Sequence, residues 1–335
     1  MKAVVLSEKG GPEKLQIRDI DSPRPGAGEV RVKLHASALN RRDYWMTQGL
    51  YPRMQLPCIP GSDGAGVVEA LGEGVDKAQL GREVVLYPAR QWGEKEACFG
   101  PDFRVLGMPD QGTFAEMICA PAGDIYAKPA HLDWQQAAAV PLAGLTAWRA
   151  VVTQGEVKPG YKVLVTGAGS GVSTFAILWS VALGAEVYVS SGSEEKINKA
   201  KSLGAVDGLN YRNSDCYPEL KNRSGGFDVI IDSAGGEALQ ALLDTLNPAG
   251  RYVFFGATLG SPAKGVEMAG LFFRHIRIQG TTMGSPREFA AMLDFLNGNK
   301  IEPVVGEVFS MDEVVKAVTL MKDYKQTGKI VLRNP

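Results

Sequence analysis

The sequence predicts an α/β protein: a mostly-β region followed by a parallel sheet with helices on both faces. Three observations carry this. The first 120 residues are short runs rich in β-branched residues, broken by Pro/Gly clusters such as Pro23-Arg24-Pro25-Gly26. From Lys162 onward, apolar strands alternate with helical segments, as βαβ units do. At 335 residues the chain exceeds one ordinary core, so two domains are expected.

In the first region the strands are read as Lys2–Leu6, Leu15–Arg18, Glu29–Ala38, Gly64–Leu71, Arg82–Tyr87 and Thr113–Ala120. They suit a barrel or sandwich. One helix is expected near Asn40-Arg41-Arg42-Asp43-Tyr44-Trp45. Asp133 reads as the N-cap of a helix from Trp134 to Ala139, and a further helix is expected over Ala147–Gln154. The second region then places strands at Lys162–Thr166, Glu186–Ser190, Gly208–Asn210, Asp228–Ser233, Arg251–Gly256 and Ile276–Gly280, with helices between them. Leu183-Gly184-Ala185 and Leu203-Gly204-Ala205 both end a helix on a glycine, where a left-handed residue is needed. The tail, Pro286 to Leu332, is a helix, an extended stretch, a second helix and a last strand, and fits the first domain.

Composition narrows the function. Net charge is −1, which gives no footprint for nucleic acid or an anionic membrane. No window approaches a membrane-spanning length, and the start runs directly into charge and glycine, so a cytoplasmic protein is expected. The four cysteines, Cys58, Cys98, Cys119 and Cys216, stand far apart and read as free thiols.

The chemistry lies in Gly167-Ala168-Gly169-Ser170-Gly171-Val172-Ser173. The apolar strand Val163-Leu164-Val165 precedes it and the apolar helix Phe175-Ala176-Ile177-Leu178-Trp179 follows. Gly167 permits a sharp turn, while Gly169 and Gly171 let the backbone approach a pyrophosphate. The helix start supplies unpaired N–H groups to that anion. This is a Rossmann dinucleotide turn. The next strand ends Ser190-Ser191-Gly192-Ser193, without the acid that holds a ribose 2′-hydroxyl in NAD sites. Ser191, Gly192 and Ser193 leave room for a 2′-phosphate, and Lys196 is one helical turn on, so NADP(H) is the expected cofactor. The alternative is that Ser193 only caps the helix and Lys196 is solvated.

The whole chain resembles the medium-chain dehydrogenase/reductase family, in its zinc-free quinone oxidoreductase-like branch. The likeness rests on Gly26-Ala27-Gly28-Glu29-Val30, Ala38-Leu39-Asn40-Arg41-Arg42-Asp43, Pro60-Gly61-Ser62-Asp63-Gly64, Gly112-Thr113-Phe114-Ala115-Glu116, Gly144-Leu145-Thr146-Ala147 and the dinucleotide turn. It implies a chaperonin-10-like, mostly-β catalytic domain at residues 1–125 and 284–335. A Rossmann domain at 126–283 is implied between them, with pairing into a homodimer through the edge of its sheet. It also implies roles: Asn40 and Thr146 near the nicotinamide, Tyr211 by the adenosine, Gly256, Ala257 and Thr258 along the nicotinamide, and Lys329 near the 2′-phosphate.

Zinc members of the family use Cys and His ligands. The matching positions here are Asn40, Ser62 and Leu142, and the region 89–110 holds only Cys98 where a structural zinc needs four. No metal is therefore expected. The expected reaction is hydride transfer from NADPH to a quinone or to the β-carbon of an enone, a small carbonyl-type substrate. Asn40 and Tyr44, four residues apart, are the candidate donors to the oxygen that gains charge. Asn40 is also a good helix cap, Tyr44 a packing residue and Arg42 a surface charge. Two alternatives remain open: an alcohol dehydrogenase with atypical metal use, and an NADPH-binding protein with no catalytic role.

Overall fold

The computed structural model describes residues 1–52, 54–213, 215–258, 260 and 265–334. In chain order the elements are β1 (Lys2–Leu6), β2 (Leu15–Asp19), β3 (Glu29–Ala38), α1 (Arg41–Thr47), β4 (Asp63–Leu71), β5 (Glu83–Leu86), β6 (Met117–Pro121), β7 (Ile125–Ala127), α2 (Trp134–Ala139) and α3 (Pro141–Trp148). There follow β8 (Lys162–Val165), α4 (Gly171–Ala182), β9 (Glu186–Ser191), α5 (Glu194–Ser202), β10 (Asp207–Asn210), α6 (Cys216–Ser224), β11 (Phe227–Asp232), α7 (Leu239–Thr245), β12 (Leu246–Phe254), α8 (Met268–Phe273) and β13 (Arg277–Gly280). The chain ends with α9 (Pro286–Asn299), β14 (Val305–Ser310), α10 (Val314–Lys322) and β15 (Lys329–Arg333).

Two compact units form, Met1–Leu145 with Gly284–Pro335, and Thr146–Met283. This corrects the expected first boundary: residues 126–145 belong to the β unit. The reason is local pairing. β7, too short to stand out in the sequence, pairs with β5, and α2 is fixed by the Asp133 carboxylate accepting the Gln136 N–H at 2.7 Å. The expected helix over 147–154 also begins earlier, at Pro141, and runs into a π-turn over Arg149–Gln154.

In the β unit the sheet runs β14-β15-β3-β4-β5-β7, with β6 also paired to β3. The tail joins this sheet through β15, antiparallel to β3. One core packs Val4, Leu6, Met46 and Phe114 against Val314, Val318 and Ile330, so the tail closes it. A second core gathers Val30, Val32, Leu34, Val68, Val84 and Ile118.

The segment 89–110 carries no zinc-type cysteine set, and its order has another source. Trp92, Phe99 and Phe103 form a ring cluster, with centroids 4.4 Å apart for Phe99–Phe103 and 5.8 Å for Trp92–Phe103. Arg90 pairs with Asp110 at 2.9 Å and with Asp124 at 3.0 Å, and Arg104 also reaches Asp110. Such ring pairs contribute about 1 kcal/mol each beyond burial. Arg42 completes the attachment. It is a buried cation, not surface charge: its guanidinium donates to the carbonyls of Leu106 at 2.6 Å and Met108 at 3.1 Å.

The second unit is a six-stranded parallel sheet in the order β10-β9-β8-β11-β12-β13. The order reverses between β8 and β11, the switch point at which doubly wound sheets bind ligands. Val163, Leu164 and Val165 of β8 are fully buried, as the apolar run requires.

Candidate functional site

The chain leaves β8 at Thr166 and turns on Gly167 (φ +64°) and Gly169 (φ +108°), conformations that L side chains rarely adopt. A Cβ on Gly169 would lie 2.5 Å from Cδ of Lys196, and one on Gly167 would lie 2.6 Å from Oγ of Ser233. The glycines therefore keep open a cradle that any side chain would fill. Ser170 is the N-cap of α4: its hydroxyl accepts the Ser173 N–H at 3.2 Å and donates to Ser173 Oγ at 2.8 Å. Ser173, fully buried, passes its hydroxyl on to the Thr166 carbonyl at 2.9 Å. Ser173 thus stitches the helix to the strand end. Gly171 and Val172, half-buried, open the helix above it.

The neighbouring strand ends extend this edge. Ser191 is buried and donates to the Ala168 carbonyl at 2.9 Å. A Cβ on Gly192 would meet the Tyr211 hydroxyl at 2.7 Å and Arg212 Nε at 3.2 Å. Ser193 is the N-cap of α5, yet its hydroxyl makes no capping bond. On the other side, the Gly256–Thr258 loop lies on Ser233: Thr258 Oγ1 donates to the Ser233 carbonyl at 3.2 Å, and a Cβ on Gly256 would sit 2.9 Å from that oxygen. Thr146 is buried on α3. Of the predicted cofactor residues, those from Gly167 to Thr258 line the carboxyl edge of one sheet.

Two residues here escaped the sequence reading. Arg212 lies against Gly192 beside Tyr211 and brings a cation to the end of β9. Asp232, fully buried at the end of β11, accepts from the Gly235 N–H at 2.7 Å, the Ala234 N–H at 3.2 Å, the Tyr252 hydroxyl at 2.5 Å and the Thr166 hydroxyl. These donors satisfy the buried carboxylate without a countercharge and tie β11 to the base of the turn. Burial and the neighbouring Asp232 push the Tyr252 phenol pKa far up.

The second polar centre lies in the β unit. Asn40 is the N-cap of α1 and is buried. Its Nδ2 donates to Asp63 Oδ2 at 2.9 Å, and its Oδ1 accepts from Lys329 Nζ at 2.8 Å. Lys329, only 3% exposed, also donates to Asp63 Oδ2 at 2.8 Å and to the Leu39 carbonyl at 2.7 Å. This corrects its expected role at the 2′-phosphate: an ammonium has three donors, and all three are used inside the β unit. Asp63 Oδ1 accepts the Leu142 N–H at 2.7 Å. Asp43 accepts the backbone N–H of Asn40 at 2.7 Å and of Gly61 at 3.3 Å, and complete burial pushes its carboxyl pKa up to about 6 against the pull of Arg42. Tyr44, half-buried, packs its ring beside Trp45 and against the first core.

The donors present do not fit a catalytic zinc. Asn40 Oδ1 is bonded to an ammonium, and Ser62 Oγ accepts from Arg42 at 2.6 Å and donates to the Leu106 carbonyl at 2.7 Å. Leu142 has no donor atom. Among the described residues no group of three or more His, Cys, Asp or Glu could hold a metal ion. Two buried protein cations, Lys329 and Arg42, already engage two of the three positions that match zinc ligands, Asn40 and Ser62.

Comparison with known proteins agrees with both halves. Residues 26–130 match the alcohol dehydrogenase GroES-like domain and residues 171–298 the zinc-binding dehydrogenase domain. The chain is 37% identical to the zinc-type alcohol dehydrogenase-like protein YogA of Leptosphaeria maculans, over 95% of this chain and 94% of that one. It is 31% identical to a quinone oxidoreductase of Pseudomonas aeruginosa, over 99% of each. A crystal structure of an NAD-dependent alcohol dehydrogenase superposes with a TM-score of 0.93 at 37% identity, covering 99% of each chain. A chaperonin-10-like β unit, a Rossmann sheet opened by a glycine turn and full-length relatives of this kind lead to one conclusion: the chain belongs to the medium-chain dehydrogenase/reductase family, in its quinone oxidoreductase-like branch, and is an oxidoreductase.

Proposed function

We propose that this chain is an NADPH-dependent, zinc-independent oxidoreductase that reduces quinones or α,β-unsaturated carbonyls. The observation that carries the reading is the Asn40–Asp63–Lys329 cluster, which offers a hydrogen-bond donor but neither a metal-ligand set nor a base. A bound nicotinamide supplies the hydride. The residues of the chain hold that cofactor and receive the charge that builds on the acceptor oxygen. Asn40 Nδ2 has one N–H committed to Asp63 and a second to give to that oxygen. Tyr44 is the second donor in this reading. The anion left by hydride addition takes its proton from water, whereas alcohol oxidation would need a proton acceptor in the site. Both oxygens of Asp63 already hold N–H donors, as do both oxygens of Asp43. The likeness to a quinone oxidoreductase supports the same acceptor class.

For the cofactor, Gly167, Gly169, Ser170, Gly171 and Val172 hold the pyrophosphate. Ser191, Gly192 and Ser193 leave space at the adenosine ribose. Lys196 and Arg212 supply cations for a 2′-phosphate, with Tyr211 beside the adenosine. Gly256, Ala257, Thr258 and Thr146 border the nicotinamide. A second reading, NAD-linked alcohol oxidation, draws on the solved NAD-dependent alcohol dehydrogenase.

Parallel titration with NADPH and NADH separates the two readings. The wild type is expected to bind NADPH at least about tenfold more tightly, since a charge-assisted contact contributes roughly 1.5–3 kcal/mol. Lys196→Ala and Arg212→Ala are each expected to erase most of that preference and leave NADH binding unchanged. Equal affinities in the wild type would overturn the NADPH assignment. Benzoquinone or cyclohexenone reduction should persist after dialysis against a chelator; stoichiometric bound zinc together with turnover of simple alcohols would favour the second reading.

The same reading makes the protein a homodimer. Among the described residues β13 is hydrogen-bonded to β12 alone, so its outer edge is unpaired there, and Ile278 on it is 42% exposed. Phe272 and Phe273 on α8 stand 61% and 77% exposed nearby in sequence. A second copy, adding its β13 across a two-fold axis, covers both features. Sedimentation velocity should show a dimer for the wild type and a monomer for Ile278→Glu; a monomeric wild type sinks the proposal.

A further inference from the structure

We infer that Lys329 is a positioning residue: it locks the Asn40 side chain in the one orientation that offers an N–H, and not an oxygen, to the substrate. The inference rests on the reading of Asn40 as donor to the acceptor oxygen, and it adds the device that makes it one.

The two ends of an asparagine amide are nearly equal in size, and a half-turn exchanges them. Here the neighbours decide the matter. The Lys329 ammonium can only donate, so Oδ1 must face it, at 2.8 Å. The Asp63 carboxylate can only accept, so Nδ2 must face it, at 2.9 Å. Lys329 and Asp63 are themselves bonded at 2.8 Å, so the three groups close a triangle. A half-turn of the amide would set N–H against ammonium and oxygen against carboxylate, two repulsive contacts in a buried place. Neither charge can relax away: Lys329 is 3% exposed and Asp63 fully buried. The ammonium is also held to the Leu39 carbonyl, and Asp63 to the Leu142 N–H. The other nearby charges are engaged elsewhere, Arg42 by Ser62 and two carbonyls, Asp43 by two backbone N–H groups. The second N–H of Asn40 is therefore the donor the triangle leaves to give.

A double-mutant cycle tests this. Lys329→Met is expected to lower kcat for benzoquinone and cyclohexenone about tenfold, less than the roughly 100-fold or more for outright loss of a preorganised donor because the amide is freed to turn and not removed, with KM for NADPH changed less than about twofold. In an Asn40→Ala background the same change is expected to cost less than about twofold, because Lys329 acts through Asn40. Equal fold losses in the two backgrounds would overturn the inference in favour of a purely structural role. Lys329→Gln, uncharged and one bond shorter, withdraws the ammonium from Asn40 Oδ1 and takes the same cycle if the methionine variant does not fold. A second arm needs no turnover. With isotope-labelled asparagine, the Asn40 side-chain amide is assigned by its loss in Asn40→Ala. One slowly and one rapidly exchanging proton are expected in the wild type, and two rapid ones in Lys329→Met. Two rapid protons in the wild type would overturn the lock. If the wild type reduces neither acceptor, the proposed function fails, and the exchange measurement still decides the lock.

Discussion

Gly169→Val is expected to weaken NADPH binding by about 30-fold or more, roughly 2 kcal/mol, with the protein still folded. Two effects add. A valine at φ +108° is strained, and a β-branched residue tolerates that region worst. Its Cβ, which would fall 2.5 Å from Cδ of Lys196, would also displace that stem and occupy the cradle proposed for the pyrophosphate. Lys196 can yield, because it is a long flexible chain, so the loss should appear in binding more than in stability. Quenching of tryptophan fluorescence on titration measures it; Trp179, buried on α4, reports from the helix that the turn opens. Unchanged affinity would remove the turn from the cofactor site.

Asp63→Val is expected to cost the β unit about 3–5 kcal/mol, because it leaves the Lys329 ammonium buried without its counterion. Asp63→Val combined with Lys329→Met should recover most of that loss, since no uncompensated charge remains. Denaturant unfolding of both variants measures the difference. A loss under about 1 kcal/mol for the single variant would mean that the pair is not a closed, buried one. The double variant is expected to turn over no faster than Lys329→Met alone, which separates what the pair does for folding from what it does for Asn40.

The dinucleotide turn was legible because its parts are contiguous. Strand, glycines, cap and helix follow one another within Lys162–Ala182, and the bonds that cap the helix and tie it back to the strand, Ser170 to Ser173 and Ser173 to Thr166, are local. Arg212 was not singled out, because only the β9–β10 pairing brings it against Gly192. Asp232 carries no local signal, because two of its four donors come from the end of β8 and from β12 and the other two from its own loop. Arg42 was read as exposed because an arginine in the first turn of a helix usually is. Its burial depends on carbonyls more than 60 residues away, at Leu106 and Met108.

The sequence by itself determined the two-part architecture, the dinucleotide turn, the lack of an acid at the end of β9 and the absence of zinc-type ligands at positions 40, 62 and 142. These follow from residue types and short spacings, which the chain carries wherever it folds. Only the tertiary structure decided what fills those positions. Lys329 lies 289 residues from Asn40 and 266 from Asp63, and it arrives because β15 pairs with β3 and closes the first core. A buried ammonium must find acceptors or stay out of the core. That requirement moved Lys329 from a presumed phosphate contact to the triangle with Asn40 and Asp63.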